Sequence, residues 1–484
     1  MDKGKTLKKS KKNGKGATIG GIIAILLFIV IMSMPTPEGM TIEGKKSLAI
    51  FTFALIMWVS RPIPIYQTSI ISILLLPLIG AVKDQEIAFG TLGFDIIWLM
   101  VAAFVLTSAI NETNLGKRLA LTLVTKLGRT PKGTLVALIL TNFVVAFFVP
   151  STTARAALLV PIVTVLLEVY KQIPGKSRFG KLMTLQGVQN NAFATSMVIT
   201  ATSAQVLALG FINEMTGSSL GYMEWLLGSL PQAVITSLLV FIIGYKLYKV
   251  EDELKGSSES NSILKKQLDD LGPISALEKR AAAIFVITLL LWATGNYHEQ
   301  WFGFEISTEQ TAVLSMLLCL LPKIGVIEWK KADIKWDLMI FSAGAYAVGN
   351  AFNDSGGASY IIGGLVSALG LETMNHGLVA VILIFTSIFS HLIFTSKTVR
   401  TTILIPTIVT LAQTLGMDPV PIAMACSFGI SYTITLPPHS KVNTLYFGTG
   451  YFDVSDQLKL GLLACLIASI TISLMYFTWL QVIF

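Results

Sequence analysis

Eleven apolar runs recur along the chain: Thr18–Met34, Leu48–Val59, Ser69–Val82, Ile96–Ile110, Ser196–Ile212, Trp225–Leu247, Ala281–Ala293, Thr311–Leu321, Leu338–Phe352, Pro421–Leu436 and Leu458–Phe484. Segments this apolar belong in a bilayer, where no water satisfies the backbone, so each has to bond its own N–H and C=O groups as a helix. Several runs fall short of the ~20 residues that cross a hydrocarbon core, and their polar flanks must join the helices. Of 484 residues, 53% are hydrophobic and 13% charged, and the mean hydropathy is +0.70, outside the range of a soluble domain. The expected fold is an all-α polytopic membrane protein.

Charge sets the threading. The net charge of +8 comes from 36 basic and 28 acidic residues. A basic balance can signal nucleic acid, but here it sits in the connections between spans. Seven lysines fall in the first fifteen residues, so the tail 1–16 is expected in the cytoplasm and 17–44 as the first span. "SMPTPEG" offers no cleavage site for a signal peptide. From that start every second connection should be basic, and these carry Lys117, Arg118, Lys126, Arg129 and Lys132, then Lys171, Lys176, Arg178 and Lys181, then Lys246 to Arg280, then Lys323, Lys330, Lys331 and Lys335. The alternate connections, "NEMTGSSLGYMEW", "GNYHEQWFGFEIST" and "LETMNHG", have no lysine or arginine; Lys45, Lys46 and Lys83 are the exceptions. The carboxyl terminus is then expected outside. The polar stretch 249–278 reads as a cytoplasmic linker between two halves.

The halves repeat one another. Ser151, Thr153, Arg155 and Pro161 recur as Ser396, Thr398, Arg400 and Pro406 at an offset of 245, and Asp95 and Asn111 as Asp337 and Asn353 at 242. The aspartates are expected at helix starts, and Asn111, Glu112, Asn353 and Asp354 at helix ends. An odd number of crossings per half inserts the second upside down, an inverted repeat of the kind secondary transporters use. Repeat 1 covers 45–248 and repeat 2 covers 279–484.

The phrase "VPSTTARAALLVP" interrupts apolar arms at Thr134–Val149 and Ala156–Val169 that are short for spanning, and basic clusters flank it on both sides. Together these features point to a re-entrant hairpin over 134–169, with its twin over 378–412. Irregular backbone at that depth must line a protein cavity. A tip of hydroxyl residues before a helix start offers unpaired N–H groups and a positive dipole end, which suits a carboxylate or phosphate oxygen. Arg155, Lys397, Arg400 and Lys441 add fixed positive charge with no comparable acidic set beside them, so a dianionic substrate would supply the partner. Each arginine reads equally as a clamp on carbonyls at the hairpin neck. Lys397 reads better as a site residue than as a snorkelling lysine, and Lys441 and His439 are weighed for the site. His376 and His391 read as packing or interfacial.

Cys319, Cys426 and Cys465 lie singly in apolar runs and suggest packing, with no metal or cofactor motif in the chain.

These phrases and their order resemble the divalent anion/sodium symporter family of di- and tricarboxylate transporters, over residues 17 to 484. There each hairpin tip carries Ser-Asn-Thr, matched here by Ser151-Thr152-Thr153 and Ser396-Lys397-Thr398. The family's broken-helix turns are matched by Thr202-Ser203-Ala204-Gln205 and Ser440-Lys441-Val442-Asn443. The resemblance implies about 11 transmembrane helices plus two hairpins, broken helices and last spans over 185–248 and 419–484, and an elevator mechanism. Helices up to about 113 and about 355 would form the scaffold of a homodimer. It further implies that Ser151, Thr152, Thr153, Ser396, Lys397, Thr398, Ser440 and Lys441 hold the substrate, with contacts from Thr202, Ser203 and Asn443.

Both tip asparagines are absent, and they help to build sodium sites in the symporters. Lys397, Lys441, Arg155, Arg400 and His439 are candidates to replace sodium. A fixed cation cannot leave with the cargo, so an empty site stays charged and resists crossing. The expectation is a sodium-independent exchanger of dicarboxylates such as malate, succinate and 2-oxoglutarate. The alternatives are a sodium-coupled dicarboxylate or citrate symporter, an anion channel, and an intramembrane enzyme pairing a serine with Lys397 or Lys441.

Overall fold

The computed structural model describes residues 15–128, 130–149, 151–250 and 259–484. Most of the expected basic tail, Arg129 and residues 251–258 of the expected linker lie outside the described residues.

The described chain is all helical. Repeat 1 contributes α2 (Ile42–Ser60), preceded by α1 (Lys15–Ser33), then α3 (Ile65–Leu78), α4 (Asp95–Asn111), α5 (Leu115–Leu127), α6 (Pro131–Phe148), α7 (Thr152–Val169), α8 (Arg178–Met197), α9 (Ser203–Thr216) and α10 (Tyr222–Leu247). After α11 (Glu259–Asp269) come α12 (Ala276–Ala293), α13 (Thr308–Leu320), α14 (Trp336–Asp354), α15 (Gly357–Leu369), α16 (His376–Phe389), α17 (Lys397–Thr414), α18 (Pro419–Gly429), α19 (Lys441–Phe447) and α20 (Val454–Met475). Six helical stretches among the described residues are long and apolar enough to cross a membrane, including both α6 and α7.

Helix starts follow local chemistry. Thr130 caps α6 with Pro131 behind it, and capping boxes open α12 (Ser275 with Glu278), α13 (Ser307 with Gln310) and α20 (Asp453 with Asp456). Asp95 opens α4 and bonds the Ile96 N–H, Asp337 lies in the first turn of α14, and Asn111 and Asp354 end these helices. Pro161 and Pro406 lie inside α7 and α17, at matching positions of the two hairpin arms.

Two compact units divide the chain. The first comprises residues 1–94 and 336–369. Within it α1 lies along α2, with Ala24, Phe53 and Met57 in the seam, and α14 packs on α3 so closely that a Cβ on Gly344 would meet Ser69 Cβ at 2.3 Å.

The second unit comprises 95–335 and 370–484 and holds both hairpins and both broken helices. It also takes in α4, α12 and α13, which the sequence reading placed among scaffold helices. Its centre is α8, buried without a break from Leu182 to Met197, with α6, α7 and α10 packed around it. Of the buried amides on α8, Gln189, Asn190 and Asn191 find protein partners, as burial of an amide requires, while the Gln186 side chain has none among the described residues. Gln189 reaches the Leu460 carbonyl, and Asn190 accepts from the Ser237 hydroxyl.

Packing is reciprocal between the halves. α4 of repeat 1 lies on α13 of repeat 2 in the second unit, while α14 of repeat 2 lies on α3 of repeat 1 in the first. The expected linker is in part a built element: α11 docks on α5 and α7, and Arg118 holds the chain beyond it through Glu278 at 3.0 Å and the Gly272 carbonyl at 2.9 Å.

Candidate functional site

Four helices start at the residues singled out in the sequence, each behind a hydroxyl. Ser151 accepts the Ala154 N–H at the start of α7, at 3.3 Å, and Ser396 accepts the Val399 N–H at the start of α17, at 3.4 Å. Thr202 stands before α9, and Ser440 accepts the Asn443 N–H at 3.1 Å before α19. Serine suits three of these positions because Ser151, Ser396 and Ser440 each satisfy one orphan N–H of the first turn, whereas Thr202 makes no such side-chain bond. The remaining first-turn N–H groups keep the positive end of each helix available to an anion.

The repeats cross at this point. α17 packs along α9 and α7 along α19, so the second arm of each hairpin lies beside the broken helix of the other half. Thr401, one turn into α17, donates to the carbonyl of Ala204 in the first turn of α9, at 3.2 Å. The breaks at 198–202 and 430–440 touch as well: Gln205 donates to Ser431 at 3.0 Å, Ser196 bonds the Tyr432 hydroxyl at 3.3 Å, and the Phe193 and Tyr432 rings meet edge to face.

Lys397 is the first residue of α17. It is half-buried, lies within electrostatic reach of Arg155 and of Arg400, and has no ion-pair partner among the described residues. Thr152, Thr153 and Thr398 are half-buried at the same two tips.

The arginines take the clamp alternative. Arg155 is fully buried and donates to the Val149 carbonyl at 3.1 Å, the Asn191 carbonyl at 3.4 Å and the Thr195 hydroxyl. Arg400, also fully buried, donates to Ser390 Oγ at 2.8 Å, the Ile430 carbonyl at 3.1 Å, and the Ser387 and Ile388 carbonyls. Each guanidinium thus ties the neck of its hairpin to the broken helix of its own half. The guanidinium donors of Arg400 and the two terminal nitrogens of Arg155 are engaged by protein oxygens, while Arg155 Nε has no partner among the described residues. Carbonyl oxygens are also the ligands an alkali cation would take.

Asn443 holds backbone at the second break. Its buried amide donates to the Thr433 carbonyl at 2.9 Å and the Leu436 carbonyl at 2.7 Å, satisfying backbone freed by the break. Lys441 is exposed on α19 with no protein partner among the described residues.

His439 is buried in a short hydrogen-bond chain that sequence reasoning missed. His391 Nδ1 lies 2.6 Å from the Ile388 carbonyl and must donate there, so in the neutral ring Nε2 accepts from Thr435 Oγ at 2.8 Å. The Thr435 oxygen in turn accepts from His439 Nδ1 at 3.1 Å. His391 is therefore a satisfied core histidine, as expected, and His439 Nε2 is left without a protein partner among the described residues. A proton can join that nitrogen without breaking the chain. His376 is exposed at the start of α16.

Asn191 and Thr195 were also missed, although the amide run "QGVQNN" within an apolar stretch was the available signal.

Residues 17–484 match the sodium:sulfate symporter transmembrane region. The chain is 28% identical to a membrane protein of Cupriavidus necator, over 92% of this chain and 88% of that one. It is 25% identical to the sodium-dependent dicarboxylate transporter SdcS of Staphylococcus saprophyticus, over 97% and 92%. The fold is similar to the crystal structure of the YdaH transporter of Alcanivorax borkumensis, with a TM-score of 0.58 at 12% identity, covering 96% and 98% of the two chains. By the match across nearly its whole length, the chain belongs to the sodium:sulfate symporter family, the divalent anion/sodium symporters that its hairpin phrases resemble, and is a transport protein rather than an enzyme.

Proposed function

We propose that this protein carries small dicarboxylates across the membrane as a sodium-independent exchanger. The observation that carries this is Lys397: a fixed ammonium at the tip of one hairpin, within electrostatic reach of the arginine clamps of both repeats and without a carboxylate partner among the described residues. Ser151, Thr152 and Thr153 of one tip and Ser396 and Thr398 of the other would bind the two carboxylates through hydroxyls and helix-start N–H groups, with Thr202, Ser203 and Ser440 contributing from the breaks. The arginine clamps would hold the hairpin necks where a symporter places sodium, and His439 would add charge when protonated. Relatives bearing the name of a dicarboxylate transporter favour that substrate class.

An empty site keeps its charge, and moving uncompensated charge through the bilayer barrier is costly. A bound dianion offsets it, so crossing follows loading. The two halves would be inverted repeats, and the unit holding both hairpins would move as the carrier of an elevator within a homodimer. The amino terminus and the 249–278 region would face the cytoplasm.

Proteoliposomes test the exchange directly. Labelled succinate should enter vesicles preloaded with succinate or malate at least ten times faster than empty ones, with or without sodium. Equal entry into empty vesicles under an inward sodium gradient would instead establish a symporter.

A further inference from the structure

A second basic feature lies away from the hairpin tips, where α6 begins and α10 ends. A cavity of about 430 Å³ is lined by Lys132, Lys246 and Lys249 together with Phe241, Ile242, Tyr245 and Val250. Lys132 comes from the first turn of α6, and its ammonium lies 5.7 Å from the centre of the Tyr245 ring. The other two lysines come from the end of α10, more than a hundred residues later. None has a carboxylate within ion-pair distance among the described residues.

The backbone reinforces the arrangement. Lys249 is held at φ 46°, in the left-handed region that non-glycine residues rarely adopt, as its N–H turns back to the Lys246 carbonyl at 3.2 Å. The turn puts two lysines at one end of one helix, beside the positive end of another.

The walls say what kind of anion fits. Leu227, Leu230, Val234, Leu238 and Ile242 are exposed and follow one another at three- and four-residue steps, an apolar face of α10 that runs down to Tyr245 and the basic cavity. An apolar track that ends in a lysine-lined mouth at the end of a spanning helix matches an acyl chain joined to a phosphate. A free anion has no use for the track.

We infer that this cavity binds the phosphodiester headgroup of an anionic phospholipid, with an acyl chain along α10, and that the lipid ties the first arm of hairpin 1 to the last span of repeat 1. The charge distribution puts the cavity in the cytoplasmic leaflet, where basic clusters beside spanning helices recognise anionic lipids.

The test uses the full chain in phosphatidylcholine nanodiscs with and without phosphatidylglycerol, followed by thermal unfolding. Phosphatidylglycerol should raise the unfolding temperature by several degrees in the native protein and in a control with Lys265→Gln, Lys266→Gln and Lys279→Gln, three exposed lysines elsewhere. The combined Lys132→Gln, Lys246→Gln and Lys249→Gln variant should lose that rise while unfolding like the native protein in phosphatidylcholine alone. A rise that survives in the variant would overturn the inference. So would an equal rise from inorganic phosphate or glycerol 3-phosphate, which would make the cavity a site for free anions. A variant destabilised equally in both lipids would mean that the lysines serve the protein's own acidic groups, such as Glu251 to Glu253, and would also overturn it.

Discussion

Lys397→Met is expected to abolish the stabilisation that succinate confers in thermal unfolding, while the empty protein unfolds at the same temperature as the native one or higher. The ammonium is half-buried, has no ion-pair partner among the described residues and lies within electrostatic reach of two buried guanidinium groups, so its removal relieves repulsion in the empty state. With the dianion bound, that same charge is an attraction. Two unit charges about 4 Å apart at an effective dielectric near 20 interact by about 4 kcal/mol. Even partly screened, the loss should weaken binding about a hundredfold, since each ~1.4 kcal/mol is a factor of ten. Lys397→Arg keeps the charge and should retain measurable binding. If Lys397→Met binds succinate with native affinity in calorimetric titration, the lysine is outside the site.

Arg400→Met should behave in the opposite way, lowering the unfolding temperature sharply. Removing this side chain deprives the Ile430 carbonyl and the Ser390 hydroxyl of a buried donor and frees the hairpin neck from the second break. An orphaned buried polar group costs about 1–3 kcal/mol, so the total should reach about 3 kcal/mol. Arg400→Lys should recover only part, because one ammonium cannot span the four partners that the planar fork reaches. Arg155→Met should cost less, with three partners in place of four. Equal unfolding temperatures for native protein and Arg400→Met would remove the clamp from the account.

These two substitutions separate what the sequence made legible from what it did not. The offset of 245 between Ser151-x-Thr153-x-Arg155 and Ser396-x-Thr398-x-Arg400 picked out two matching helix starts, each capped by its serine. Both arms of the first hairpin proved longer than their apolar runs suggested. α6 and α7 have 18 residues each, because Pro131, Thr152 and Thr153 are polar or kinked residues that serve well in a helix's first turn.

Direction was beyond the sequence. Whether Arg155 turns to a substrate or to carbonyls depends on where α8 runs, and α8 joins the chain 23 residues later. The same holds for Asn443, whose two carbonyl partners exist only because the chain unwinds at Thr433 to Leu436. His439 was visible as a titratable residue, but its partner Thr435 is one of many threonines, and His391 lies on another helical segment. The helix at Glu259–Asp269 was hidden for a simpler reason: a polar, serine-containing stretch has little apolar periodicity to betray it, and Arg118 holds the chain beyond it from 154 residues away.

The central claim is that side chains fixed in the protein do the work of bound sodium. The direct measurement is the affinity for succinate of purified protein in sodium-free choline chloride and in sodium chloride of equal ionic strength. The same dissociation constant in both media is the predicted result. Binding that appears only with sodium, or tightens steeply as sodium rises, would contradict it.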